Sequence, residues 1–283
     1  MTPPTPPSDQ PASRPTAPRG TVTQPSHKRT FPTQRDHRTR TRGGGTATAR
    51  RILTQLRHDP RTVALMVLLP SLLLVLLRYV FNSERVFSAA APALLAVFPF
   101  AIMFIVTSIT TLRERTTATL ERLMTLPIGK FDLLLGYALA FGLVAVVQVL
   151  VAAGISLTWL GLEITGSVWL LLLIAVLDAL LGTALGLLAS AFARTEFQAV
   201  QFMPAVVMPQ VLLCGLFAPR ESMTSVLEWL SAVMPLSYAV DALTTVTRTD
   251  GVDGTLVRNL VIVAGCVVLA LVLGAATLRR RTP

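Results

Sequence analysis

The sequence predicts an all-α membrane protein with six transmembrane helices, an N-terminal interfacial helix, an amphipathic helix in a cytoplasmic hairpin and an outer re-entrant helical segment. The first observation is composition: of 283 residues, 52% are hydrophobic and only 14% are charged. Soluble domains usually carry about 25% charged residues. The second is that six segments reach the roughly 20 apolar residues that a helix needs to cross a bilayer. Helices are required there because a bilayer offers no other partners for the backbone.

The apolar segments also divide the chain into two parts. The six predicted spans lie at about 62–81, 91–112, 133–159, 168–192, 197–218 and 256–278. They make up a six-span membrane domain at 47–283. Residues 1–46 contain nine prolines, many Thr and Arg, and few large apolar side chains. Such a tail cannot bury enough surface to offset its ordering entropy, so we expect it to be disordered.

Basic residues near the spans predict the orientation. Six spans place both termini on one side together with the loops at 113–132 and 193–196. Twelve Lys and Arg lie close to the spans on that side, against five on the other. The positive-inside rule therefore predicts that both termini, and the tail at 1–46, are cytoplasmic. The net charge of +10 is explained by topology, and without a nucleic-acid-binding motif we expect no nucleic acid partner.

A short amphipathic segment, "RRILTQLRHDP" at 50–60, precedes the first span. Ile52, Leu53 and Leu56 form an apolar edge, and Arg57 belongs to the basic face around it. This pattern favours a helix lying in the inner interface; the alternative is a charged, solvated linker. Asp59-Pro60 should end the helix just before the membrane.

The hairpin between the second and third spans is much longer than a simple connection requires. In "TLRERTTATLERLMTLPIGKFD" (111–132), Leu120, Leu123 and Met124 form one apolar stripe at helical spacing. Charged side chains can face elsewhere, and Pro127 and Gly129 end the pattern. The predicted helix at 113–126 either rests on lipid headgroups or docks into a cytoplasmic partner. Its mixed charges favour docking.

Two further segments have an irregular pattern. Pro204 and Pro209 interrupt the fifth span, which we expect to be kinked or broken as a packing feature or as a hinge. The connection at about 219–255 is too apolar for a solvated loop, and its apolar pieces are too short to span. Short helices dipping into the outer leaflet on either side of Pro235 fit both facts. Tyr238 suits the interface.

Asp178 is an acidic residue deep within a span, and such a residue is a candidate functional site by default. The structural alternative is a hydrogen bond to a neighbouring helix, for example to Gln148 or a backbone group. Gly182 and Gly186 in the same span have the small-xxx-small spacing that permits close helix contact. This favours a packed interior around Asp178.

The sequence lacks the patterns that carry chemistry. There is no G-x-x-x-x-G-K-[ST] phosphate loop, no nucleophile–base pair, no paired carboxylates and no metal-binding cluster. Cys214 and Cys266 lie in apolar runs and form no metal spacing or disulfide framework. We therefore expect no catalytic site, bound cofactor or metal in this chain. Work would be driven by a separate subunit or by an ion gradient.

Four stretches carry a family resemblance: "ILTQLRHDPRTVALMVLLPSLLLVLLRYVF", "RERTTATLERLMTLPIGKFDLLLGY", "ASAFARTEFQAVQFMPAVVMPQVLLCGLFAPRESM" and "LEWLSAVMPLSYAVDAL". Over residues 50–281 the chain resembles permease subunits of type-2 ATP-binding-cassette exporters, most closely the daunorubicin-type drug-resistance branch. The resemblance implies a bacterial cytoplasmic-membrane location. It also implies a second permease copy and separate cytoplasmic ATPase subunits that bind ATP and Mg.

The resemblance also implies roles for particular residues. Residues 50–60 correspond to the connecting helix, and 113–126 to the coupling helix that contacts the ATPase. The implied ATPase-coupling residues are Arg115, Leu120, Glu121, Arg122 and Leu123. Pro204 and Pro209, with the outer segment that contains Pro235 and Tyr238, would shape the exit. The expected function is export of a lipophilic drug, antibiotic or lipid-like substrate. The alternative is a proton-coupled secondary transporter that uses Asp178.

Overall fold

The structure is a computed structural model that describes residues 44–116 and 130–277. Within these ranges every regular element is helical, which confirms the all-α fold class. The helices are α1 (Gly44–His58), α2 (Pro60–Phe81), α3 (Glu84–Thr116), α4 (Lys130–Thr158), α5 (Val168–Ala189), α6 (Glu196–Leu213), α7 (Ser225–Val233), α8 (Pro235–Arg248) and α9 (Gly254–Thr277). A single 3₁₀ turn, Arg220–Ser222, precedes α7.

Among the described residues, five helices are long and apolar enough to cross a membrane: α2, α3, α4, α5 and α9. They coincide with five of the predicted spans. The predicted span at 197–218 is occupied by α6, which ends earlier, at Leu213, and is not one of the five. Three glutamines and two prolines lower its mean hydropathy. Helices α7 and α8 together could count as a sixth span, but they are bent by 90°. This bend agrees with the predicted re-entrant segment.

The break between α1 and α2 follows the sequence signal. Asp59 caps the N-terminus of α2, accepting hydrogen bonds from the Thr62 hydroxyl at 2.6 Å and the Thr62 backbone amide at 3.3 Å. These bonds lower the pKa of the Asp59 carboxyl. Pro60 occupies the first turn of α2, where the missing N–H costs nothing. The predicted boundary at Asp59-Pro60 is confirmed.

Helix α3 lies at the centre of the bundle and packs most extensively on α5. Glycine makes this contact possible. A Cβ atom at Gly182 would lie 2.3 Å from the Phe100 carbonyl oxygen, and one at Gly186 would lie 2.5 Å from that of Phe104. The predicted small-residue spacing is therefore a close backbone contact, which we call the glycine seam (Gly182, Gly186, Phe100, Phe104).

The remaining helices surround this pair. Helix α4 packs against α1, α2 and α5, while α9 packs on α5 and α8. Helices α2 and α9 are the least buried of the five spans and expose rows of Leu and Val. Apolar rows of this kind suit contact with lipid tails. We call the end of the bundle where α3 stops and α4 starts the hairpin side.

At the opposite side, the loop between α4 and α5 is hydrogen-bonded to the end of α8. The backbone amides of Thr165 and Gly166 donate to the carbonyls of Thr247 and Val246, each at 3.1 Å. A Cβ atom at Gly166 would lie 2.6 Å from the Val246 oxygen, so this approach requires glycine. These bonds satisfy carbonyls that the last turn of α8 would otherwise leave unpaired.

Candidate functional site

Three polar side chains meet on the hairpin side, one from each of α1, α3 and α4. The Nη2 atom of Arg51 donates hydrogen bonds to Glu114 Oε2 at 2.8 Å and to the Tyr137 hydroxyl at 3.3 Å. The Tyr137 hydroxyl donates to the same Glu114 oxygen. Each member therefore contacts both others. We call this group the hairpin anchor (Arg51, Glu114, Tyr137).

The hairpin anchor is largely shielded from solvent. The side chains of Arg51 and Glu114 are 29% and 13% exposed, and Tyr137 is buried. Removing one partner from such a pair leaves the other charge poorly solvated, which is more costly than losing a surface pair. The anchor therefore holds the middle of α1, the end of α3 and the start of α4 together against modest displacement.

A second ion pair joins the end of α3 to the start of α6. Arg113 Nε and Nη2 donate to the two carboxylate oxygens of Glu196 at 2.9 and 3.2 Å. The hydrogen bond from Arg113 lowers the pKa of the Glu196 carboxyl. This pair is well exposed, with side chains at 64% and 50%. The end of α3 thus contacts α1, α4 and α6 through adjacent charged residues.

The predicted coupling helix is only partly within the described residues. We expected the second span to end at 112, but α3 continues to Thr116, so Arg113–Thr116 are its last turn. Arg115 lies there, half-buried, and its Nε has no hydrogen-bond partner in the described part of the chain. Leu120, Glu121, Arg122 and Leu123 lie outside the described residues.

The predicted connecting helix is formed by α1. Ile52 and Leu56 are buried, Leu53 is half-buried and Arg57 is exposed. The helix packs along α4, so its apolar edge is covered by protein. We expected that edge to face the lipid interface. The amphipathic pattern was correctly identified, but periodicity alone does not distinguish a lipid surface from a neighbouring helix.

The predicted exit elements are close in space. Helix α6 continues through Pro204, which is exposed, and through Pro209. Of the two predicted alternatives, a break is not formed, and a kink stays a prediction. Its end is linked to the re-entrant segment, because the Ser231 hydroxyl donates to the Leu213 carbonyl at 2.7 Å.

In the re-entrant segment itself, Pro235 starts α8 and is half-buried. The Tyr238 hydroxyl donates to the Ala232 carbonyl at 2.6 Å. The Arg220 guanidinium lies 5.5 Å from the centre of the Tyr238 ring and pairs with Asp241. The bend between α7 and α8 is thus fixed by hydrogen bonds and by one cation–π contact.

Asp178 and Gln148 are fully buried within α5 and α4. Neither side chain has a hydrogen-bond partner among the described residues. The suggested hydrogen bond between them is therefore not formed. A buried carboxyl group without a partner is costly, so Asp178 stays a candidate functional residue.

The sequence predicts no individual role for Arg51, Glu114, Tyr137 or Glu196. Arg51 and Glu114 are 63 residues apart, and no local pattern pairs them. One weak signal existed: Arg51, Glu114 and Tyr137 all lie within about three turns of a predicted membrane boundary on the same side.

Comparison with known proteins identifies the family. The model of the ABC-2 type transporter family matches residues 45–247. The chain belongs to the ABC-2 type transporter family. It is a multi-pass membrane protein of the permease type, as the resemblance implied.

The relatives are distant. The chain is 26% identical over 206 residues to "Probable multidrug ABC transporter permease YbhS" of Escherichia coli, covering 72% of this chain and 55% of that protein. It is 31% identical over 144 residues to "Inner membrane transport permease YhhJ" of the same species, covering 49% and 37%. It is 27% identical over 153 residues to "ABC transporter G family member 20" of Dictyostelium discoideum, covering 54% and 21%. The ABC-2 chain thus spans about half or less of the length of these relatives.

Proposed function

We propose that this chain is the membrane-spanning, non-catalytic subunit of an ATP-driven exporter that moves a lipophilic drug, antibiotic or lipid-like substrate outward. The observation that carries the proposal is the meeting of three helices at the end of α3. The hairpin anchor and the Arg113–Glu196 pair gather α1, α4 and α6 at the base of the hairpin. A force applied to that hairpin reaches several helices at once.

The proposed source of energy for transport is a separate cytoplasmic ATPase subunit that binds ATP and Mg. The hairpin helix at 113–126 docks on this subunit, with Arg115, Leu120, Glu121, Arg122 and Leu123 as the coupling residues. When ATP binding draws two ATPases together, the hairpins follow and the permease switches between inward-open and outward-open states. The family membership and the absence of a phosphate loop in the sequence support this division of labour.

A second copy of the chain would complete the transport pathway. The exposed face of α6 gives a reason to place the contact between the two copies at this helix. The exposed face of α6 includes Gln201 and Pro204. Pro204 and Pro209 remove the N–H groups that would pair with the carbonyls of Val200 and Ala205. Polar groups of this kind are costly against lipid tails. Contact with the same face of a second permease would cover them.

Thiol labelling tests the proposed orientation. In a variant without Cys214 and Cys266, single cysteines within 113–126 should react with a membrane-impermeant maleimide only after the cells are opened. A cysteine at exposed Val226 should react in intact cells. Labelling of 113–126 from outside intact cells would overturn the proposed function.

Co-purification tests the proposed partner. The chain, expressed with the ATPase encoded by the adjacent gene, should elute with it and show vanadate-sensitive ATP hydrolysis. Glu121→Arg should reduce the bound ATPase by about tenfold, the effect of losing an interaction of 1.4 kcal/mol. Glu228→Arg is the matched control, since this exposed glutamate lies on α7 on the opposite side. An adjacent gene that encodes no ATPase, or equal loss in both variants, would count against the proposal.

A proton-coupled secondary transporter is the second candidate, favoured by the buried, unpartnered Asp178. The two candidates predict opposite orders of effect. In a secondary transporter, Asp178→Asn abolishes transport while Glu121→Arg changes little. In an ATP-driven exporter, Glu121→Arg has the larger effect.

A further inference from the structure

We propose that Glu114, held by Arg51 and Tyr137, is a positioning residue that transmits nucleotide-driven movement from the hairpin to α1 and α4. This inference rests on the proposed function, because it concerns movement produced by an ATPase. The inference assigns to the hairpin anchor the role of a joint, which keeps α1 and α4 in place relative to the end of α3.

The position of Glu114 gives the first argument. It lies two residues before the end of α3, and Tyr137 lies in the second turn of α4. The two side chains therefore connect the helices that enter and leave the hairpin. Arg51 adds α1, which packs along α4. A displacement of the hairpin base must either move α1 together with the end of α3 and the start of α4 or break these bonds.

The geometry of the bonds gives the second argument. Both donors, Arg51 Nη2 and the Tyr137 hydroxyl, bond to the same oxygen of Glu114, Oε2. A rotation of the end of α3 that removes this oxygen breaks both bonds at once. The attachment of α3 to α1 and α4 through Glu114 is therefore made or lost in one step, while the Arg51–Tyr137 hydrogen bond at 3.3 Å still joins α1 to α4.

Burial gives the third argument. Glu114 is 13% exposed, whereas Glu196, which joins the same end of α3 to α6, is 50% exposed. Shielded pairs are screened less by salt and resist separation better than exposed pairs. The shielded joint therefore maintains the positions of α1 and α4, while the exposed pair leaves α6 easier to separate from α3.

The chain contains a matched control for Glu114. Glu84 lies at the other end of the same helix and also accepts a hydrogen bond from an arginine, with Arg78 Nη2 at 2.9 Å from Glu84 Oε1. Glu84→Gln and Glu114→Gln therefore make the same chemical change in an ion pair at opposite ends of α3.

The experiment uses the complex with the ATPase in nanodiscs. A single cysteine replaces Val226, which is 75% exposed on α7, in a chain without Cys214 and Cys266. We measure the maleimide labelling rate with and without ATP and vanadate, the amount of bound ATPase and the rate of ATP hydrolysis. The parent complex should show a labelling rate that depends on nucleotide.

Glu114→Gln should reduce this nucleotide dependence by about fivefold or more, within the usual range of couplings between sites. The fall in nucleotide dependence should exceed any fall in bound ATPase or in hydrolysis, because the Glu114 side chain is largely shielded from the surface. Glu84→Gln should leave all three measurements unchanged. The double variant Arg51→Glu/Glu114→Arg should recover more of the nucleotide dependence than either single reversal.

Two results would overturn the inference while the proposed function stands. One is a Glu114→Gln complex with the same nucleotide dependence as Glu84→Gln. The other is a parallel loss of bound ATPase, hydrolysis and labelling change without recovery in the double variant, which indicates a merely structural role. A parent complex that binds no ATPase would instead overturn the proposed function itself.

Discussion

Helix α3 is held by different means at its middle and at its end. In the middle, the glycine seam brings the backbone of α5 so close to Phe100 and Phe104 that no Cβ atom fits. At the end, long polar side chains span the space to α1, α4 and α6. Backbone contact leaves no room for adjustment, whereas side-chain ion pairs can be remade after a small shift. The seam therefore keeps α3 and α5 as one unit, and relative movement at the hairpin side is expected at the exposed Arg113–Glu196 pair and not at the shielded hairpin anchor.

The largest effect is expected from filling the glycine seam. Gly182→Ala places a methyl group 2.3 Å from the Phe100 oxygen, so the helices must separate at a cost of about 1–3 kcal/mol. The folded fraction and melting temperature in detergent should both fall. Gly265→Ala in α9 is the control, because a Cβ atom there meets nothing within 4 Å. Similar melting temperatures for the two variants would show that α3 and α5 are not in tight contact.

A smaller effect on stability is expected from two carboxyl-to-amide changes, and its sign should differ between the two positions. Glu114→Gln removes the counter-charge of Arg51 and should destabilise the protein by about 1–2 kcal/mol. Asp178→Asn removes no hydrogen bond, since the described residues offer Asp178 none. The Asp178→Asn protein should melt at the same temperature as the parent or higher, in thermal unfolding followed by size exclusion. A marked destabilisation by Asp178→Asn would reveal a partner for the carboxyl group and thereby a second polar joint within the bundle.

The smallest effect is expected from Glu196→Gln, because the Arg113–Glu196 pair is exposed and screened by salt. The pKa of Glu196 is lowered in the folded protein, so its contribution is present above the ordinary carboxylate pKa. That contribution is lost as the pH falls through the lowered pKa. At neutral pH and low salt the parent should melt slightly higher than Glu196→Gln, and the difference should vanish in acid and in high salt. A difference that persists in high salt would mean that this pair is as shielded as the hairpin anchor.

The sequence predicted those features of the fold that depend on a regular pattern of residues along the chain. Apolar runs located five spans, and the glycine spacing located the seam, because both are regular over many residues. The end of α3 was placed four residues early, since Arg113 and Arg115 look like loop residues although they can extend a helix into the interface. Of the predicted kink or break at Pro204 and Pro209, the break does not form, because the remaining backbone bonds and the packing on α3 sustain α6.

The candidate site was less predictable because it depends on residues that are distant in the chain. The hairpin anchor joins Arg51 to Glu114 and Tyr137, and only the packing of α1 on α4 brings them together. Conversely, Asp178 and Gln148 were suggested as a pair because both are polar residues within spans, but the structure does not bring their side chains into a hydrogen bond. Whether two polar side chains meet depends on the rotation of each helix about its own axis, which hydropathy does not specify.

The two hydrogen bonds from the loop between α4 and α5 to the carbonyls of Val246 and Thr247 have a mechanical consequence. They attach the last turn of α8 to the entrance of α5, a helix already fixed to α3 by Gly182 and Gly186. The other end of α8 is held as well, because the Ser237 hydroxyl donates to the Leu213 carbonyl at the end of α6. We therefore expect α8 to stay with α5 when a passage opens, and not to swing as a separate flap.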